Sequence, residues 1–288
     1  MIAEVIIFGA IQGAVYALIA MGFSLVYGVG GILNLAHGAF YMIAAYTALW
    51  LIPYLPLPFA FIVAVAVTTI LGALAYLSLI KPMQKSHIGV VIATFALAFL
   101  IEQFVKISQI ARTGIDTPVY LTEMIGGSVN FLGVTFPAQL VVAFFGSILL
   151  VTFVTLFISK ARIGKSIRAV SQDREAALLM GINADRVLLL TVTLSAFLAA
   201  VASVLYTSGN PVFSWMGWGI LLNAFAVVVL GGMGSVTGSV LGAFVIAYAR
   251  NFCTYFISPS LAELVPLVVI LIVLVLRPQG LLGKKEVK

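Results

Sequence analysis

Nine apolar stretches, each nearly free of charge, follow one another through this chain at residues 5–27, 37–52, 59–80, 89–107, 140–158, 187–206, 220–233, 238–257 and 261–276. A hydrocarbon core about 30 Å thick needs ~20 consecutive apolar residues of helix to cross it, and most of these stretches approach that length. Only 8% of the 288 residues are charged and mean hydropathy is +1.22, whereas a soluble domain carries about 25% charge to wet its surface. A water-soluble fold is therefore excluded. With 63% hydrophobic residues, roughly nine spans is the ceiling. The expected fold is an all-α, polytopic transmembrane helical bundle of eight or nine membrane segments, some short or broken, forming one domain over residues 1–288. Stretches 37–52 and 220–233 are short for a full crossing, and each sits beside a glycine-rich or polar break. Such segments can be tilted interfacial helices, or broken helices lining a transport path. Met1 to Glu4 offers no basic n-region, so the first stretch reads as a retained helix. Cys253 is the sole cysteine, and with two histidines and nine acids neither a disulfide nor a protein-built metal site is expected.

Cations decide the orientation. Lys81 and Lys85 fall in one loop, and Lys160, Arg162, Lys165, Arg168, Arg174 and Arg186 in loop 159–186. Arg277, Lys284, Lys285 and Lys288 form the tail. With nine crossings all of these share one side, the cytoplasm. The N-terminus is then outside, the C-terminus inside and residues 108–139 outside. With eight, one short segment is re-entrant and one terminus flips. The net charge of +6 is thus a topology signal, and nucleic acid is not an expected partner. Gly9–Gly13 and Gly238–Gly242 are GxxxG patterns, which let helices approach closely. A loose echo links Gly31 to Ala36 with Gly219 to Ala224, as in two half-bundles around a pathway.

Loop 159–186 carries the sharpest local pattern. Asp173 can cap a short helix through its carboxylate, Gly181 can end it in a left-handed turn, and Asn183 can cap the next helix. Ala176 and Ala177 present little side chain, while Leu178, Leu179 and Met180 give an apolar side. An ordinary amphipathic loop helix on the membrane surface also fits.

Glu175-Ala176-Ala177 followed by Gly181 resembles the EAA motif of ABC importer permeases. Residues 164–182 around it are similar to the high-affinity branched-chain amino acid (Liv-type) permeases, specifically the H-like subunit. Residues 27–42 (with Asn34, His37 and Gly38), 229–238 and 276–281 resemble the same branch, so the likeness runs the length of the chain. The chain departs from the pattern in lacking a Leu-Pro after Gly181 and in carrying Thr237 where relatives have proline. The resemblance implies a coupling helix that sits in a cleft of an ATP-hydrolysing subunit, with Asp173, Arg174, Glu175, Ala176, Ala177 and Gly181 as its residues. It also implies a second, M-like permease, two cytoplasmic ATP-binding subunits and an extracytoplasmic substrate-binding protein, in the inner or plasma membrane of a prokaryote. The implied cargo is leucine, isoleucine, valine or a similar small amino acid, with urea or short amides as the alternative.

No phosphate-binding G-x-x-x-x-G-K-[ST] loop is present. The chain is accordingly not expected to be an enzyme or to hold a cofactor; ATP and Mg would sit on partner subunits. Inside the membrane an unpaired amide or imidazole is expensive, so Gln12, Asn34, His37 and Asn223 are the candidates for a translocation path. For His37 a capping or helix-bonding role fits equally. Glu102 is expected to pair with Lys106, four residues on, and Arg250 with Glu102 or Glu263, or to snorkel outward. Glu4 and Glu263 read as interfacial. An ion-coupled secondary transporter would need buried acids, for which Glu102 alone qualifies. A membrane enzyme would need a catalytic set that the chain lacks.

Overall fold

The computed structural model describes residues 1–283; Lys284, Lys285 and Lys288 of the expected cytoplasmic tail lie outside the described residues. In chain order the elements are α1 (Ile2–Gly30), α2 (His37–Leu51), α3 (Leu57–Ala75) continued by a π-helical turn (Tyr76–Ile80) and α4 (Lys81–Met83), and α5 (His87–Thr113). Strands β1 (Val119–Tyr120), β2 (Ser128–Phe131) and β3 (Val134–Pro137) come next. They are followed by α6 (Ala138–Lys160), α7 (Arg162–Gln172), α8 (Arg174–Leu179), α9 (Ala184–Thr207), β4 (Pro211–Val212), α10 (Met216–Gly231), α11 (Val236–Phe256), α12 (Pro259–Ala262) and α13 (Val265–Leu276). The protein is an all-α membrane bundle. Six helices among the described residues, α1, α3–α4 taken together, α5, α6, α9 and α11, are long and apolar enough to cross a membrane.

The boundaries have local causes. Side chains of Ser86, Asp173, Asn183 and Ser235 each accept a hydrogen bond from the first-turn amides that no helical carbonyl reaches. At the other end of α1, Gly31 takes a left-handed conformation and its amide returns to the Tyr27 carbonyl. α1 and α9 are buried over most of their length, whereas α3, α5 and α6 show most of theirs. Leucine, isoleucine and phenylalanine on those outer faces would be a liability in water; against acyl chains they are matched to their solvent.

Both GxxxG patterns act in packing. The rings of Tyr248 and Phe244 on α11 lie where a side chain at Gly9 or Gly13 would stand, and the α10 backbone at Val227 and Gly231 lies against Gly242 and Gly238. Each small residue lets a neighbour come closer than any side chain would permit.

α2 and α10 are the unusual elements. His37 opens α2 and bonds the Ile19 carbonyl of α1 and the Ser195 hydroxyl of α9, both at 3.0 Å. Those partners lie near the middle of their helices, so α2 starts at mid-height. It runs to the face where Trp50 meets Phe104 and Arg112. α10 also starts at mid-height, since a Cβ on Gly217 would stand 3.0 Å from the Gly38 carbonyl oxygen. It runs the opposite way, to where Leu281 and Leu282 donate to the Leu230 and Gly231 carbonyls at 2.7 and 3.0 Å. Two half-helices thus meet N-terminus to N-terminus inside the bundle, each completed by irregular chain. Counting each as one broken pass and α13 as another brings the six long helices to nine, the upper of the two expected numbers. Lys81, Lys85, Lys160, the α7–α8 cations, Arg186 and Arg277 gather at one face, which the positive-inside rule makes cytoplasmic. At the other face β2 pairs with β3 and β1 with β4 as short antiparallel ladders. These were not expected; β1–β4 clamps the outer loop to the α9–α10 connection, while β2–β3 is a hairpin within the loop.

Candidate translocation cavity and coupling helix

A cavity with a volume of about 510 Å³ opens toward the outer face, where Asn210, Pro211, Tyr255 and Glu263 stand at its rim. Deeper in, its wall comes from five elements: α1 (Gln12, Tyr16), α2 (Tyr41), α9 (Tyr206), α10 (Asn223) and α11 (Arg250, Asn251). Gln12 is the hub. Its amide nitrogen donates to the Tyr206 hydroxyl at 3.2 Å, and its oxygen accepts from Asn251 at 2.9 Å. Arg250 donates to the Tyr16 hydroxyl at 2.8 Å. Asn223 donates to the Gly219 carbonyl at 2.7 Å, which leaves its own oxygen buried and without a partner. Bonds between side chains on different helices hold a polar surface open inside an apolar bundle, where each group satisfied by protein avoids a desolvation cost.

The four amide and imidazole residues expected to share a path divide into two pairs. Gln12 and Asn223 line the cavity; Asn34 and His37 do not. Asn34 shapes the turn ahead of α2, its oxygen accepting from the Ala36 amide at 3.1 Å while its amide nitrogen is buried without a partner among the described residues. His37 is fully buried with both ring nitrogens bonded. The same residue types serve two ends: supporting the start of the broken helix, and lining the cavity. We expect His37→Ala to lower the unfolding free energy by about 2–4 kcal/mol through two lost bonds and an unfilled site. Thermal unfolding in detergent checks this, and uptake should fall only as far as folded protein does.

Two expected ion pairs are replaced by other contacts. Glu102 accepts from the indole of Trp218 on the first turn of α10, and Lys106 lies 3.9 Å from Asp116. Arg250 takes Tyr16 rather than a carboxylate. Tyr16, Tyr206 and Asn251 were not anticipated as site residues. For Asn251 the signal was present, as a second polar residue beside Arg250 in an apolar stretch.

At the cytoplasmic face α8 has the capping expected of it. Asp173 accepts from the Glu175 and Ala176 amides at 2.9 Å each, Gly181 sits at φ +80°, and Asn183 accepts from the Arg186 amide. Arg174 reaches Gln84 and Asp185, both at 3.3 Å, tying α8 to α4 and α9. An amphipathic helix, α7, precedes it and buries Ile167 and Val170. One expectation needs correcting. Ala177 is 4% exposed and packs into the chain's own core, because its position on this short helix turns toward α9. The surface left outward is Ala176 with Leu178, Leu179 and Met180, the last two 89% and 83% exposed. Leucine and methionine held outward on a capped cytoplasmic helix make an apolar knob.

Residues 5–274 match a family model described as branched-chain amino acid transport system / permease component. The chain is 29% identical to the high-affinity branched-chain amino acid transport system permease protein LivH of Salmonella typhimurium, over 97% of this chain and 95% of that protein. It is 30% identical to the corresponding protein BraD of Pseudomonas aeruginosa, with the same coverage, and 28% identical to LivM of Escherichia coli over 93% of this chain and 68% of that one. Among solved structures it resembles PsaBC from Streptococcus pneumoniae in complex with Fab, at a TM-score of 0.56 and 14% identity over 97% of each chain. That likeness concerns the fold alone.

Proposed function

The chain belongs to the permease-component family of branched-chain amino acid transport systems, and on that premise we propose that it is the H-like membrane subunit of an ATP-driven importer. Its cargo in this reading is leucine, isoleucine, valine or a related small amino acid, handed to the outer face by an extracytoplasmic binding protein. The outward cavity of about 510 Å³ carries this reading. It is large enough for such a molecule and offers both polar groups and aromatic walls. A second, M-like permease completes the pathway, and two cytoplasmic ATP-binding subunits hold ATP and Mg and perform the hydrolysis. The membrane is the inner or plasma membrane of a prokaryote.

In this mechanism the chain does no covalent chemistry. Cargo enters between α1, α10 and α11 while the cytoplasmic side is closed by close contacts. Gly28 packs on Gly234, and the Gly280 turn packs on Gly232. Movement of the ATP-binding subunits pulls on α8, and the Arg174–Asp185 and Arg174–Gln84 bonds pass that movement to α9 and α4. The α2–α10 junction is where the bundle can bend, because backbone there is joined by irregular chain and not by continuous helix.

The test is reconstitution with the partner subunits in proteoliposomes. Uptake of labelled leucine should require both ATP and the loaded binding protein. Uptake driven by a sodium or proton gradient without ATP would overturn the reading.

A further inference from the structure

Two groups in the outward cavity have bonding capacity left over, and their signs are opposite. The Arg250 guanidinium has five N–H donors, and its side chain bonds only to the Tyr16 hydroxyl; no carboxylate among the described residues lies within ion-pair distance of it. Glu263 stands at the rim of the same cavity and is exposed. The Asn223 oxygen is buried and unpartnered, in a residue 5% exposed. Its orientation is fixed, because the Gly219 carbonyl can only accept and so holds the amide nitrogen. A cationic donor and a buried acceptor without a protein partner belong to the lining of one cavity, whose wall also carries Tyr16, Tyr41 and Tyr206, a set complementary to a zwitterion with an apolar side chain.

We propose that Arg250 takes the carboxylate of an amino acid in transit and that the Asn223 oxygen accepts from its ammonium group. This rests on the cavity being the path, as proposed above. Tyr16 is then a positioning residue, and the aromatic walls take the alkyl side chain. Recognition at these two points selects the α-amino acid backbone and leaves the side chain loosely sorted.

The experiment uses the full complex in lipid nanodiscs and proteoliposomes, with Ile220→Cys on the cavity wall in a Cys253→Ala background. A bulky impermeant thiol reagent is added from outside, and L-leucine or L-leucinamide, which lacks the carboxylate, is offered as protectant. Leucine should slow labelling at lower concentration than leucinamide. Arg250→Gln should raise the half-protecting leucine concentration about tenfold, to the leucinamide level, while Arg250→Lys retains most protection. Asn223→Leu should weaken both protectants. Equal protection by the two ligands, or unchanged leucine protection in Arg250→Gln, would overturn the anchoring roles and leave the path intact. An unreactive cysteine would also overturn them, because a neighbouring subunit would then cover the wall. Labelled complex that still transports leucine at the unlabelled rate would instead overturn the cavity as the path.

Discussion

Gly38→Leu should abolish ATP-driven uptake and sharply lower the yield of folded protein. A Cβ at this position would overlap the carbonyl oxygen of Gly217 and stand 2.9 Å from the Leu221 Cβ. The obstructing atom is backbone, so no rotamer change relieves it. Either α10 is pushed away from α2 or the two N-termini separate. Overpacking where side chains can adjust costs about 1–3 kcal/mol, and a backbone clash belongs at the upper end or beyond. His37 shares the first turn of α2, so its bonds to Ile19 and Ser195 loosen as well. Gly219→Ala is the control on the same α10 helix, since nothing lies within 4 Å of its added carbon; it should fold as well as the wild type. Size-exclusion profiles and thermal unfolding of both variants read the difference directly.

The second large effect is at the cytoplasmic face. Leu179→Glu should leave folding unchanged, because the side chain is 89% exposed and touches little of its own chain. If α8 seats in an apolar cleft of an ATP-binding subunit, the substitution forces a carboxylate into that cleft. The expected loss is about 2 kcal/mol or more, roughly 30-fold in association. Copurification of the ATP-binding subunit and leucine-stimulated ATP hydrolysis should fall together. Ala177→Trp, two residues earlier and facing inward, should fail differently: the permease itself loses stability before any partner is added. Running both variants separates docking from folding.

The apolar rhythm of the chain foretold the helices and the two short segments, because a membrane solvent leaves few other solutions. The caps at Asp173 and Asn183 and the left-handed Gly181 were legible for a similar reason, being governed by neighbours within four residues. What the sequence concealed was long-range. Glu102 finds Trp218 116 positions away, and Arg250 finds Tyr16 234 positions away. The pairing guess for Glu102 used the nearest cation on its helix, but the Trp218 indole sits closer once α10 breaks at mid-height. The same break explains Asn34 and His37. Their polarity was rightly noticed, yet a half-helix starting inside the bundle needs its own partners: His37 ties its first turn to α1 and α9, and the Asn34 oxygen holds the turn ahead of it. Ala176 and Ala177 are chemically identical, so only the rotation of a six-residue helix decides which faces out.

The account as a whole turns on α8 being the contact through which ATP hydrolysis reaches the membrane bundle. A photoactivatable benzophenone amino acid at position 179, in place of Leu179 and in the intact complex within native membranes, tests this most directly. Irradiation should join the permease to the ATP-binding subunit, giving an adduct whose mass is the sum of the two. Adducts with lipid alone, or with no protein but a second copy of the permease, would contradict it.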